Sequence, residues 1–388
     1  MPTLLLSAGD ASGDLHAADF AGRFLSRHPE ARLVGLGGEA MRSAGVRLVA
    51  DQSDLAVGGL LELAGSLPRV VRVWRRLVAA LEAERPDLVV LVDASGFNLP
   101  FASRAKRLGI PVLYYVAPQV WAWRTGRIRK LAERVDRMAV IFPFEPAVYR
   151  DTGLTVDFVG NPLVDSVAET MRTVTRDSAR ERCGVATGGA IVTLLPGSRR
   201  NEIAAHLDVQ LETARRLHER RPDLSFVVAL PPSLAGRVAD EVAQRCEEVR
   251  AAGLPLHFRG DGAREAILAA DVVLAKPGTV TMECALMDRP MVVMGRANAI
   301  TAWVVRRAVR VASFTMPNLI AEEVIVPEFL QQDATPARLA DALESLLEGA
   351  GREAQRAGLL RVRERLGSGG AAERACRIAE EMIETSRT

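Results

Sequence analysis

A glycine, a hydroxyl and an arginine follow directly on an apolar run at Leu194-Leu195-Pro196-Gly197-Ser198-Arg199, with a helix predicted to begin around Arg200. Open backbone N–H groups at such a helix start, its positive dipole end and the Arg199 guanidinium together make an anion site. The same residues also suit an ordinary helix start with a solvated arginine, and both readings stand. Ala275-Lys276-Pro277-Gly278-Thr279-Val280-Thr281-Met282-Glu283 repeats the arrangement, with an apolar run, a Gly-Thr turn and a helix carrying an acid in its first turns. Thr279 offers an N–H and a hydroxyl to a phosphate, and Glu283 offers a carboxylate to ribose hydroxyls. Helix capping by Thr279 or Thr281 is the competing reading. Two such turns in one half-chain point to a nucleotide diphosphate, held by Gly197, Ser198, Arg199, Gly278, Thr279 and Glu283.

An acid closes a third apolar run, Leu91-Val92-Asp93-Ala94-Ser95-Gly96-Phe97-Asn98. A carboxylate at a strand's C-terminal end is placed to take a proton from an acceptor hydroxyl, which makes Asp93 the candidate base. Strand-end aspartates also form Asx-turns or cap the next helix. The opening turn Gly9-Asp10-Ala11-Ser12-Gly13-Asp14-Leu15-His16 lacks GxGxxG spacing, but its glycines let a sugar approach the backbone. His16 is a rival base, set against the plainer reading of a satisfied surface histidine.

These turns require strands that end on them. Short apolar runs alternate with amphipathic stretches along the whole chain, the rhythm of parallel sheets flanked by helices. Strands are predicted at 3–8, 32–35, 88–93, 112–116, 137–141 and 157–159, and again at 191–195, 225–230, 256–259, 272–275 and 291–294. The stretch Gly160 to Asp165, with its Gly-Asn-Pro, separates the two series. From Thr335-Pro336 onward only helical periodicity remains. The expectation is an α/β protein of two Rossmann-like domains facing a cleft. Residues 1–165 form an acceptor and membrane-docking domain, 166–350 a nucleotide-sugar domain, and 351–388 helices that cross back to the first.

A chain of 388 residues suits two domains, each with its own core. Its 48% hydrophobic and 25% charged residues are ordinary for a globular protein, and a net charge of +2 argues against nucleic acid as a partner. Four scattered cysteines propose no disulfide framework. Five histidines without HExxH spacing, and the lack of a DxD triplet, make chemistry without metal or cofactor the default. The apolar start is too short for a secretory segment, and no run is long enough to span a bilayer, so an intracellular location is expected.

One stretch suggests a membrane surface. Leu67, Val70, Val71, Trp74, Leu77, Val78 and Leu81 recur at helical spacing with Arg69, Arg72, Arg75 and Arg76 among them, just after the apolar, glycine-loosened run Leu55 to Leu63. A basic amphipathic helix beside such a loop suits docking to anionic lipid, although many helices of this pattern simply pack on a sheet.

Over nearly its whole length the chain resembles the lipid A disaccharide synthases, inverting glycosyltransferases of the GT-B fold from Gram-negative bacteria. The likeness rests on Ala8 to Asp14, the Val57 to Leu67 loop, Asp93-Ala94 with Phe97-Asn98, and Tyr115-Val116-Ala117-Pro118-Gln119-Val120-Trp121-Ala122-Trp123-Arg124. It continues through Pro143-Phe144-Glu145, Phe158-Val159-Gly160, Leu194 to Arg199, Gly278-Thr279 with Glu283, and Pro317-Asn318-Leu319. The tryptophan-rich run is the most specific of these.

The resemblance implies transfer of a sugar from UDP-2,3-diacylglucosamine to 2,3-diacylglucosamine 1-phosphate, giving a β-1,6-linked disaccharide 1-phosphate and UDP. It implies that Asp93, Arg199, Asn318 and Asp10 serve catalysis and that residues around Val57 to Arg76 dock on the membrane. The expected location is cytoplasmic, peripheral on the inner face of the inner membrane, and a homodimer is compatible with it. Asp10 stands where the family often has Glu, Gly96 replaces a second acid, Asn161 a usual His and Pro277 a Ser. A UDP-N-acetylglucosamine epimerase, or another UDP-sugar enzyme of the same fold, is the alternative.

Overall fold

The computed structural model of the protein describes all residues except 56–62, 124, 186–187, 235, 298–312 and 388. Two compact units result, Met1–Pro162 with Ser368–Thr388, and Leu163–Gly367.

The first unit is built on a parallel sheet of β1 (Thr3–Ala8), β2 (Arg32–Gly37), β3 (Arg47–Asp51), β4 (Leu88–Val92), β5 (Val112–Tyr115), β6 (Arg137–Val140) and β7 (Thr155–Phe158). Their order is β3-β2-β1-β4-β5-β6-β7. A parallel sheet covered on both faces needs strands that are apolar throughout, and every residue of β4 is buried. Successive side chains serve opposite faces. Leu4, Leu6 and Ala8 pack with Phe20 and Phe24 of the helix Ala11–Arg27 and with Ala375, Cys376 and Ala379 of the helix Ala371–Arg387. Leu5 and Val89 pack on the other side with Leu77 and Leu81 of the helix Leu63–Glu84 and with Phe101. Each such buried Leu or Phe side chain contributes about 1.5–3 kcal/mol.

The second unit repeats the plan with β8 (Ile191–Leu195), β9 (Ser225–Ala229), β10 (Leu256–Arg259), β11 (Val272–Ala275), β12 (Met291–Gly295) and β13 (Glu328–Leu330) in the order β10-β9-β8-β11-β12-β13. All of its strand pairs are parallel. In both sheets the winding reverses once, between β1 and β4 and between β8 and β11. Ligands of open α/β sheets bind beyond the carboxyl ends of strands at such a reversal.

The sequence reading finds these strands except β3 and β13. Both lie at sheet edges, where one side of the strand is open and no continuous apolar run is demanded. Arg47-Leu48-Val49-Ala50-Asp51 is charged at both ends, and Glu328-Phe329-Leu330 is three residues long and only half-buried. The C-terminal segment is helical as expected, with helices Pro336–Leu347, Ala350–Leu366 and Ala371–Arg387.

Its division differs from the boundary drawn at 350. The helix Ala350–Leu366 belongs to the second unit. Buried Gln355 accepts from Met291 N at 2.6 Å and donates to the Met291 and Ile325 carbonyls at 3.0 and 3.1 Å. Only Ala371–Arg387 closes the first unit: Arg374 Nε donates to Val159 O at 2.8 Å, and Glu380 meets Arg27 Nη2 at 2.7 Å and His28 Nε2 at 2.8 Å.

Candidate functional site

Except for Asn318, the residues picked out from sequence fall in each unit on the two turns at the sheet reversal or on the helices that follow them. In the first unit these are the turns after β1 and β4. Asp10 caps the helix Ala11–Arg27, its Oδ1 accepting from Gly13 N at 2.7 Å. The neighbouring Gly9 cannot carry a side chain, because a Cβ there would stand 2.6 Å from Ala94 Cβ in the turn after β4.

That second turn is strained. Asp93 and Ala94 hold φ values of 44° and 45°, a left-handed region costly for residues with a Cβ, and Val116 across the turn holds 55°. Neighbours over-determine the geometry. Asp93 N donates to Val116 O at 3.2 Å, and the Asp93 carbonyl accepts from Asn98 Nδ2 at 3.0 Å and from the Tyr114 hydroxyl. Fully buried Asn98 also donates to the Ser7 and Val92 carbonyls at 3.2 and 3.0 Å and accepts from Ser7 Oγ at 2.7 Å, joining the ends of β1 and β4.

Burial raises the Asp93 carboxyl above its usual range, repulsion from Asp10 raises it further, and the Ala94 N–H opposes both. His16 is half-buried, and burial holds its imidazole below the usual value against the pull of Asp10 and Asp19. A cavity of about 230 Å³ opens beside Asp93, with Ser95, Val116, Gln119, Arg127 and Phe142 among its walls. Behind it, fully buried Glu145 accepts from Trp121 Nε1 at 3.1 Å, Ile141 N at 3.2 Å and Phe142 N at 2.9 Å. Burial pushes its carboxyl up to about 7.

In the second unit the turns after β8 and β11 both need glycine. Gly197 and Gly278 adopt φ of 147° and 155°. Arg199 stands at the N-terminal boundary of the helix Arg200–Arg220 with its side chain 78% exposed. The Ser198 N–H and hydroxyl, expected to face a phosphate, donate instead to Glu202 Oε2 at 2.9 and 3.3 Å. Glu202 Oε1 accepts from Lys276 Nζ at 3.0 Å, so this carboxylate links the two turns. Lys276 itself arches over the second turn, its Nζ 2.9 Å from where a Gly278 Cβ would stand.

His206, one helical turn after Glu202, receives Arg296 N–H on Nε2 at 3.0 Å. Its Nδ1 therefore carries the proton and donates to Pro196 O at 2.9 Å, fixing the tautomer of a buried imidazole that desolvation holds below its usual value. Thr279 begins its helix behind Gly278, with no side-chain cap, and Thr281 Oγ1 donates to Gly278 O at 2.8 Å. Glu283, expected to meet a ribose, accepts from Arg264 Nε at 2.6 Å, while Arg264 Nη2 donates to Ser166 Oγ at 3.0 Å.

Asn318 lies apart from these turns. It is 3% exposed, its Nδ2 donates to Ser313 Oγ, Val326 O and Glu328 Oε1 at 2.9–3.0 Å, and its Oδ1 accepts from Ile325 N at 3.0 Å and Val326 N at 2.8 Å. Its amide is thereby spent on holding the chain between 313 and 328.

Sequence reasoning passed over Lys276, Glu202, His206 and Asn98. Two left signals: Glu202 stands three residues after the helix-boundary residue Arg199, the reach of a capping box, and Lys276 is a charge at the end of a buried strand. His206 and Asn98 act through backbone partners distant in sequence, which no spacing reveals.

Comparison with known proteins decides the family. A family model described as lipid-A-disaccharide synthetase matches residues 4–382. The chain belongs to the lipid-A-disaccharide synthase family. It is 41% identical over 382 residues to the lipid-A-disaccharide synthase of Geobacter sulfurreducens, covering 98% of this chain and 97% of that protein. It is 38% identical over 387 residues to that of Myxococcus xanthus, covering 100% and 99%. Members are glycosyltransferases, and that is the activity of this chain.

Solved structures add the fold alone. UDP-GlcNAc 2-epimerase from Neisseria meningitidis bound to UDP-GlcNAc superposes with a TM-score of 0.64 at 12% identity, covering 98% of this chain and 100% of that one. MurG from Acinetobacter baumannii gives 0.58 at 14%, covering 98% and 100%. The two sheets thus match the GT-B arrangement expected from sequence, and the epimerase alternative is not favoured by the family match.

Proposed function

We propose that the second unit holds UDP-2,3-diacylglucosamine, with its diphosphate at the Gly197-Ser198 and Gly278-Thr279 turns, and that the first unit holds 2,3-diacylglucosamine 1-phosphate beside Asp93. Asp93 takes the proton of the acceptor 6-hydroxyl while that oxygen bonds to the donor's anomeric carbon. The bond from that carbon to the UDP oxygen breaks, and its electron pair leaves with UDP. One displacement inverts the centre and gives a β-1,6 linkage. Backbone N–H groups, Arg199 and Lys276 stabilise the leaving diphosphate. Glu283 receives the ribose on oxygen sites left beside Arg264. Asn318 is a positioning residue, and Asp10 acts on Asp93 through charge.

The observation that carries this reading is the strained turn at Asp93. A partly buried carboxyl, raised by its surroundings and held at a sheet reversal, is suited to general base work. Docking on the inner face of the inner membrane is supported by the helix Leu63–Glu84, where Leu67 and Val71 are 62% and 40% exposed among exposed Arg69, Arg72, Arg75 and Arg76. Leu77 and Leu81 of the same helix are core, and most of the adjoining 55–63 loop lies outside the described residues. Among the described residues no helix is long and apolar enough to cross a membrane. Purified protein given the two defined acylated substrates should release UDP and yield the disaccharide 1-phosphate by mass spectrometry; hydrolysis of the donor without an acceptor product would refute the reading.

A further inference from the structure

We infer that Arg127 receives the phosphate monoester of the acceptor and makes the first unit's cavity selective for a phosphorylated sugar, an inference that rests on the acceptor assignment above. The cavity of about 230 Å³ has one anionic wall residue, Asp93, and one cationic wall residue, Arg127, among those that line it. Its other walls are uncharged, Val116, Pro118, Gln119 and Phe142 among them. That size is below the ~300–1,000 Å³ of pockets for drug-sized ligands and in scale with a single sugar ring.

Arg127 is fixed from below. It stands directly before the helix Ile128–Arg134, whose Leu131 is fully buried and whose Ile128 packs against the same core. Two other arginines of this region are engaged elsewhere, Arg134 with Leu99 O and Arg137 with Asp157 and Glu381. Among the described residues no carboxylate pairs with Arg127. Asp93 is no exception, for no ion pair joins it to Arg127 although both line the cavity.

Acceptor chemistry gives the two charged side chains different work. The 1-phosphate and 6-hydroxyl leave a glucosamine ring on opposite sides of its ring oxygen. With the hydroxyl at Asp93, repulsion from Asp93 and Asp10 turns the phosphate toward the cation of the cavity. A guanidinium in the cavity wall meets a phosphate through two parallel charge-assisted hydrogen bonds, which an uncharged sugar cannot accept.

The test compares two acceptors in the same detergent micelles, 2,3-diacylglucosamine 1-phosphate and the same sugar without phosphate, using intact wild-type protein, Arg127→Ala and Arg127→Lys. Wild type should prefer the phosphorylated acceptor. Arg127→Ala should shrink the ratio of the two kcat/KM values roughly ten- to hundredfold, mainly through KM for the phosphorylated sugar, and Arg127→Lys should recover part of it. An unchanged ratio in Arg127→Ala overturns the inference, as does an equal slowing on both acceptors. Wild-type transfer to neither acceptor would bring down the acceptor assignment itself, and this inference with it.

Discussion

Lys276 Nζ lies 3.0 Å from Glu202 Oε1, and through that pair the turn after β11 is tied to the turn after β8. The Glu202 carboxylate also occupies the Ser198 N–H and hydroxyl, so an internal anion sits among groups suited to a phosphate.

Removing the cation should weaken the proposed diphosphate site. Lys276→Met is expected to raise the Kd for UDP roughly tenfold or more by titration calorimetry, in line with loss of one charge-assisted bond. Burial alone would raise the Glu202 carboxyl, but the Ser198 N–H and Lys276 outweigh it and hold it below the usual range. Its folded value is depressed, so its stabilising share is present above the unfolded value and lost as pH falls through the folded one. Glu202→Gln should therefore flatten the acid limb of a Tm-against-pH curve; an unaltered limb would show that the pair contributes nothing to stability.

Asp93→Asn should separate activity from stability. Loss of the base is expected to cut kcat about 10²–10⁴-fold. The Asp93 carboxyl is raised in the folded state, so its share of stability is present at low pH and lost as pH rises through that raised value. Asparagine removes this charge and tolerates the left-handed backbone better than most residues. Tm at neutral pH should accordingly rise while turnover collapses. His16→Ala should leave kcat within a few-fold of wild type, and the reverse pattern would transfer the role of base to His16.

Asn98→Ala tests the bracket behind the base. It leaves the buried Ser7 hydroxyl and the Val92 and Asp93 carbonyls short of partners, at about 1–3 kcal/mol. Denaturant melts should register that loss, and kcat should fall while KM for the donor stays put. A loss of stability with full turnover would show that the strained turn holds without Asn98.

Glu145 gives a pH signature of its own. Its carboxyl is pushed up to about 7 by burial, so its share of stability is present below the unfolded value and lost as pH rises through about 7. Wild-type Tm should drop across that window, and Glu145→Gln should not follow it. Parallel calorimetric curves for the two proteins would contradict the assignment.

The turns were legible in sequence because their cause is local. An apolar run that stops on Pro-Gly-Ser or Pro-Gly-Thr declares both the strand and the backbone freedom the next residue needs, and the structure carries Gly197 and Gly278 at positive φ. Buried strands such as β4 were legible for the same reason. The edge strands β3 and β13 were not, because an open edge leaves β3 free to carry charge at both ends and lets β13 be three residues long. Nor was the binding of Glu202 to the Ser198 turn read in advance, since a charged residue in the first turn of an amphipathic helix reads as solvated surface. Asn98 and His206 stayed hidden because their partners, Ser7 and Arg296, are brought to them only by the sheets.

The helix Ala371–Arg387 lays Cys376 Sγ against Phe20 O, groups 356 positions apart along the chain. Layers made from segments so far apart in a polypeptide cannot close before the later one has been translated. The first sheet must wait, with the Phe20 and Phe24 side of the helix Ala11–Arg27 uncovered, until residues 371–387 have been synthesised. Deleting residues 371–387 would thus injure the unit that begins with β1, leaving Leu163–Gly367 with its own core complete.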